Sequence, residues 1–471
     1  MKQPYRKETD SLGTLHVPET ALWGAQTQRA LDNFPISGRR MPFALIQAIA
    51  HIKKACAQAN LTYGLLTDTQ ANAIIASAQS IIEGAHSSQF PVDVFQTGSG
   101  TSTNMNVNEV IAHLAQKDHG CPVHPNDDVN RSQSSNDVIP SAIHLSAWIA
   151  MQTQLLPALD HAIDQLSDKA QAVKGLTKTG RTHLMDAMPV RLDQELDAWR
   201  QQLYDNRARL QDCLPRLSQL PIGGTAVGTG INAPQGFGKR VCDHLNQDQL
   251  SLSAQTPLTP MPNAFVGLSS QDTAVELSGH LNTLAASLMK IANDLRWMNS
   301  GPLAGLAEIQ LPALQPGSSI MPGKINPVIP EAVAMASAQV FGAHTTVSVA
   351  GQSGNFQLNV MLPLIADQLL TSLKIMSQSL YTLSDKAIAG FEPQPHALAA
   401  TLASNPILVT ALNALVGYET GAKIAKTAYQ TQRSVLEVAL EMTELDRATL
   451  NQALDPEKLT HGGIPGQSGQ S

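Results

Sequence analysis

In the stretch ELSGHLNTLAASLMKIANDLRWM the apolar positions Leu277, Leu281, Leu284, Leu288, Ile291, Leu295 and Met298 alternate spacings of four and three. A heptad seam held for three repeats commits this part of the chain to a long helix with a neighbour along its length. Leu156, Leu159, Ile163, Leu166, Ala170 and Val173 repeat the pattern. So do Leu192, Leu196, Trp199 and Leu203, followed past a polar break near Asn206 by Leu210, Leu214 and Leu217. Long helices with matching seams need partners, so the spacing predicts a mainly α chain with a central helix bundle.

At 471 residues the chain exceeds one compact core. Shorter helical patterns over 43–61 and 68–84 mark a smaller N-terminal region, and GFEPQPH at 390–396 reads as a linker to short C-terminal helices. The expected domains are 1–133, 134–391 and 392–471, with strand signals weak throughout and a disordered tail, THGGIPGQSGQS, from 460.

Charged residues make up only 15%, against the usual quarter or so. So charge-poor a chain predicts apolar faces covered by other subunits. A net charge of −7 without a lysine or arginine run gives no electrostatic footprint for nucleic acid. Cys56, Cys121, Cys213 and Cys242 are scattered, which suits a reducing, cytoplasmic setting. MKQPYRKETDSLG lacks the apolar core of a signal peptide, and no run of about 18 apolar residues predicts a membrane span.

Four segments interrupt the helical patterns with Gly, Ser, Thr and Asn: 97–108, 124–137, 223–234 and 317–327. Such composition predicts turns, and it also concentrates small hydrogen-bond donors. Ser134, Ser135 and Asn136 precede a helical pattern and read first as a cap, then as a seat for an anion on free N–H groups. His183 in GRTHLMDAMPV is a structural histidine unless a carboxylate partners it, in which case it suits acid–base work. GGTAVGTGINAP has the wrong glycine spacing for a dinucleotide fingerprint, and GFGKR lacks the ends of a P-loop. His119, Cys121 and His124 would need a fourth metal ligand, and only Asp127 offers itself, so no metal is expected. In GSSIMPGKINP, residues 317–327, Lys324 is a lone cation in a neutral neighbourhood, suited to clamping a small anion. Pro330 and Glu331 after it are good helix-start residues.

Taken in order, WGAQTQRA (23–30), TGSGTSTNMN (97–106), HPNDDVNRSQSSND (124–137), GRTHL (180–184), GGTAVGTGIN (223–232) and GSSIMPGKINP (317–327) resemble class II fumarase, over roughly residues 8 to 460. The last segment marks the wider fumarase/aspartase superfamily, and the set together narrows it to fumarase. The resemblance implies a three-domain, mainly α fold whose long helices form a homotetrameric core, with each active site built from three subunits. It implies interconversion of fumarate and (S)-malate in the citric acid cycle, without metal or organic cofactor.

Residue by residue, it implies that Ser318 takes a proton from C3 of malate. His183 acts on the C2 hydroxyl or water with Glu331 as charge partner, and Lys324 and Asn326 bind the carboxylate beside the acidic carbon. Ser99, Gly100, Thr101, Ser134, Ser135, Asn136, Thr182 and Ser319 match further substrate-binding positions, and His124, Asn126 and Asp127 match a second dicarboxylate site. NPVIPE after Asn326 is nearer the aspartase pattern, and Leu303 replaces a frequent arginine. His183, however, stands where aspartases carry glutamine, and HPNDD where they read NPNDH. An aspartate ammonia-lyase and a non-catalytic structural protein are the alternatives.

Overall fold

A computed structural model describes residues 4–248 and 256–463. The tail expected to be disordered from 460 is ordered at its start, where a 3-10 turn ends at His461 and Gln194 Nε2 donates to the Thr460 carbonyl at 3.0 Å. From residue 464 on it lies outside the described residues. The chain is 62% helical, and among the described residues strand is confined to four two-stranded sheets.

Four helices are longer than the rest among the described residues: Leu192–Leu217, Asp272–Met298, Val328–Gly351 and Leu362–Leu383. All seven seam residues of Asp272–Met298 are at most 4% exposed. The polar break at Asn206 does not interrupt its helix: Asn206 is 2% exposed and continues the buried stripe. Leu362–Leu383 carries a seam of its own, buried at Leu362, Ala366, Leu369, Leu373, Met376, Leu380 and Leu383.

Two compact units emerge. The first gathers Met1–Ala158, Asn206–Ala285 and Ala336–Gln378. Within it the helix Phe43–Thr62 packs on Asp68–Ile82, Ser135–Ala150 and Phe237–Gln247. Surrounded in this way, it buries Leu45, Ile46, Ile49 and Ile52 completely or nearly so, and Lys53 with them.

The second unit gathers Leu159–Asp205, Ala286–Met335 and Ser379–Ser471. Its last part has a separate apolar core round Leu412, Ile424, Val438, Ala439 and Leu450. A hairpin of Thr177–Thr182 and Met185–Arg191 lies against the helix Pro395–Ala403 and the turn of helix Pro406–Leu412.

Two sequence expectations fail here for the same reason. Residues 97–108 are a turn only as far as Gly100, because a helix runs from Thr101 to His119. Its asparagines are weak helix formers, yet tertiary hydrogen bonds hold them in place. Asn104 Nδ2 donates to Asn130 Oδ1 at 3.1 Å and Ser135 Oγ at 3.0 Å, and Asn106 Nδ2 donates to the Gln89 carbonyl at 3.1 Å. Residues 177–191, where strand signals are weak, pair as the hairpin because the second unit covers one side of it.

Candidate active site

The loop 317–327 closes on itself. Gly317 N–H donates to the Lys324 carbonyl at 2.9 Å, and Asn326 Nδ2 donates to the Gly317 carbonyl at 2.5 Å. A Cβ on Gly317 would stand 2.2 Å from that Lys324 oxygen, so only glycine lets the neck close. Inside the loop Ser318 Oγ accepts from two backbone donors, Ile320 N at 3.2 Å and Met321 N at 3.0 Å. Two N–H dipoles aimed at one hydroxyl oxygen favour negative charge on it. Lys324 is exposed and forms no ion pair among the described residues. It lines a cavity of about 950 Å³ together with Asn326, Glu331, Arg296, Trp297 and His396. It also lines a smaller one of about 390 Å³ with Ser318 and Met321.

His183 lies at the tip of the hairpin, between the paired residues Thr182 and Met185. His183 and Leu184 have φ of 55° and 60°, the left-handed pair that a two-residue hairpin turn demands. Neither is glycine or asparagine, so the turn is strained. Thr182, His183 and Ser319 are exposed, and no hydrogen bond or ion pair joins His183 to Glu331 among the described residues. Glu331 lies in the first turn of its helix, as its sequence position predicts.

The other candidate binding residues belong to the first unit. Gly100 caps the helix Thr101–His119 with φ of 72°, and Ser99 and Thr101 share a hydroxyl hydrogen bond of 2.8 Å. Ser134 caps Ser135–Ala150, accepting from Asn136 N at 3.2 Å, while its own N–H donates to Asp137 at 2.9 Å. The Asn104–Ser135 bond ties the two helix starts together, so Ser99–Thr101 and Ser134–Asn136 form one patch rich in N–H donors. Asn136 Nδ2 donates to the Ala226 carbonyl at 2.8 Å, which brings the segment 223–234 alongside.

Three buried ionisable residues of the first unit, Asp137, Lys53 and Glu109, escape the sequence reading. Asp137 accepts from Gly223 N and Thr225 N, both at 2.9 Å, and burial pushes its carboxyl up to about 6 against those bonds. Burial likewise lowers Lys53 to about 7, and its ammonium donates to Asn130 Oδ1 and Gln133 Oε1 at 2.9 Å. Glu109, raised by burial, accepts from Gly24 N, Gln26 N, Thr27 N and Thr27 Oγ1 at 2.6–3.1 Å, which accounts for the WGAQTQRA motif. Asp137 stands three residues after Ser134, the spacing of a capping box, and that signal was available.

His124, Asn126 and Asp127 lie together. His124 Nδ1 accepts from Asn126 N at 3.3 Å and Asp127 N at 3.1 Å, and Asp127 Oδ2 is 3.3 Å away. They adjoin a cavity of about 680 Å³ lined by His124 and Asn126 and also by Glu8, Asp10 and Glu109. Cys121 packs with Ala73 and Ala115, and among the described residues no cluster of His, Cys, Asp and Glu is arranged to hold a metal ion. The four thiols are buried and unpaired with one another, and burial pushes those of Cys56, Cys213 and Cys242 upward. Among the described residues no single helix is long and apolar enough to cross a membrane.

The chain is similar to known proteins over almost its whole length. Residues 13–342 match a family model described as lyase, and residues 408–461 one described as the fumarase C C-terminus. A class II fumarate hydratase of Xylella fastidiosa is 56% identical, over 98% of this chain and 96% of that protein. One from Pseudomonas aeruginosa is 55% identical, over 98% of this chain and 99% of its own length. Among solved structures, recombinant class II fumarase from Schistosoma mansoni superposes with a TM-score of 0.93 at 36% identity, covering 97% of this chain and 99% of its own. A fumarate lyase:delta crystallin from Brucella melitensis, bound to cobalt, gives 0.91 at 40% identity, covering 98% and 100%.

Proposed function

We propose, from the premise that this chain belongs to the class II fumarate hydratase family, that it adds water reversibly to fumarate to give (S)-malate. The observation that carries the reading is Ser318 Oγ held by two backbone N–H donors in the loop that also presents Lys324. In the dehydration direction Ser318, as an alkoxide stabilised by those donors, takes a proton from C3. The carboxylate beside C3 then carries a second negative charge. A lysine at about 4 Å in an effective dielectric near 20 is worth on the order of 4 kcal/mol per unit of developing charge. An amide donor such as Asn326 adds about 3 kcal/mol. Both act mainly on the transition state, where binding energy raises turnover. His183, charge-balanced by Glu331, protonates the C2 hydroxyl as it leaves, so that water departs and the double bond forms. Ser99, Gly100, Thr101, Ser134, Ser135, Asn136, Thr182 and Ser319 hold the substrate's carboxylates in this reading, and His124, Asn126 and Asp127 hold a second dicarboxylate.

The reading includes a homotetramer, cytoplasmic and metal-independent, with each site assembled from three subunits and with N-terminal, central-bundle and C-terminal regions. Two features support the shared site. His183 is exposed and unbonded to Glu331 within the chain, which leaves each free to meet the other's counterpart on another subunit. On Val328–Gly351 the exposed residues Ala332, Met335, Ala338, Gly342, Thr345 and Val349 form a stripe without a charge, and such a surface is normally covered.

Purified protein given malate, then aspartate, tests the function by the ultraviolet absorbance of the fumarate double bond. A rise with malate and none with aspartate is expected. A rise with aspartate alone would make the protein an ammonia-lyase, and silence with both would make its role structural.

A further inference from the structure

Behind the hairpin that ends in Thr182 and His183 lies an ionic quartet of the second unit, buried at Lys178 and Glu308 and partly exposed at Glu195 and Arg181. Lys178, on the first strand, has its ammonium 2.8 Å from Glu195 Oε2 and 2.6 Å from Glu308 Oε2. The other Glu308 oxygen stands 2.7 Å from the Arg181 guanidinium. Lys178 and Glu308 are each 1% exposed. Lys178 also reaches Met298 Sδ at 3.6 Å. The backbone of Glu308 is fixed on both sides, its N–H donating to the Met298 carbonyl at 2.8 Å and its carbonyl accepting from Gln394 N at 2.9 Å.

Two positive and two negative side chains leave the quartet neutral. A buried ion pair adds little stability over apolar packing of the same volume, so stability alone does not account for Lys178 and Glu308 here. Their geometry does. Glu308 grips the strand at Lys178 and again at Arg181, two residues before a turn whose positive φ angles persist only where the surroundings over-determine them. From Glu308 the chain runs directly on to the loop 317–327. We infer that Glu308 is a positioning residue: through Arg181 and Lys178 it fixes the strand that presents His183, so the imidazole keeps its place during turnover. The inference rests on the reading of His183 as the group that acts on the C2 hydroxyl.

Arg181→Gln in the full-length protein removes the outer grip and leaves Glu308 paired with Lys178. Turnover of malate is expected to fall by about tenfold or more with KM within about threefold, because a misplaced acid slows chemistry more than binding. In a His183→Asn background the same change is expected to cost less than about twofold, since two residues acting as one unit are non-additive. Glu308→Gln, of equal size and no charge, is expected to behave alike; should it fail to fold, Arg181→Gln decides. Unchanged turnover in Arg181→Gln, a loss confined to KM, or an equal loss in both backgrounds overturns the inference and leaves the function standing. Wild-type turnover in His183→Asn itself overturns the reading of His183, and the inference with it.

Discussion

A carbanion next to a carboxylate places two negative charges within a few ångströms, so a cation in that neighbourhood matters most when the charge is only half formed. In the proposed mechanism Lys324 is such a cation, and its freedom from any ion pair among the described residues leaves its charge uncommitted. Lys324→Ala is expected to lower kcat by about a thousandfold, the equivalent of some 4 kcal/mol, and to raise KM as well. A rise in KM with kcat intact would make it only an anchor. Its isolation is legible in the sequence, where no other charge lies between Glu308 and Glu331. The two N–H donors on Ser318 are not legible there. They depend on how the chain turns between Gly317 and Met321, which no residue type prescribes.

At the scale of elements, the starts of two helices make the donor-rich patch, and their placement depends on buried polar side chains more than on propensity. The helix Ser135–Ala150 also buries His144, whose Nδ1 lies 2.8 Å from the Gln219 carbonyl. Burial lowers this imidazole from 6.5 to about 4, so the folded state holds it neutral where the unfolded chain would protonate it. A depressed folded value contributes stability that is complete above 6.5 and is lost as pH falls through about 4. Thermal melts at several pH values should show this loss in the wild type, at most on the order of 3 kcal/mol. His144→Asn keeps a donor near the Nδ1 position without a titrating ring, so its melting point should fall less over the same window. Parallel curves for the two proteins would refute the assignment. The asparagine-rich helix Thr101–His119 shows why local signals fell short here: Asn104 and Asn106 look like turn residues until their partners, distant in sequence, are known.

For the whole molecule, the uncharged stripe on Val328–Gly351 and the low charge content point to the same covered surface. Met335, 69% exposed in the single chain, sits in that stripe. If the chain assembles as the proposed tetramer, Met335→Glu should shift the particle measured by light scattering from four chains towards fewer, with activity falling in step, because a buried unpaired carboxylate is costly. A fully active smaller species would contradict the shared site. The sequence by itself determined the seams, and with them the mainly α fold, since burial at every third and fourth position needs only local periodicity. It also determined the lone lysine, the motif order and therefore the family. Only the tertiary structure decided that His183 rides a strained hairpin, that Asp137 joins two loops and that Glu308 grips the strand behind His183. Those facts depend on residues far apart in the chain meeting in a desolvated interior, where each charge must find a partner that sequence spacing does not name.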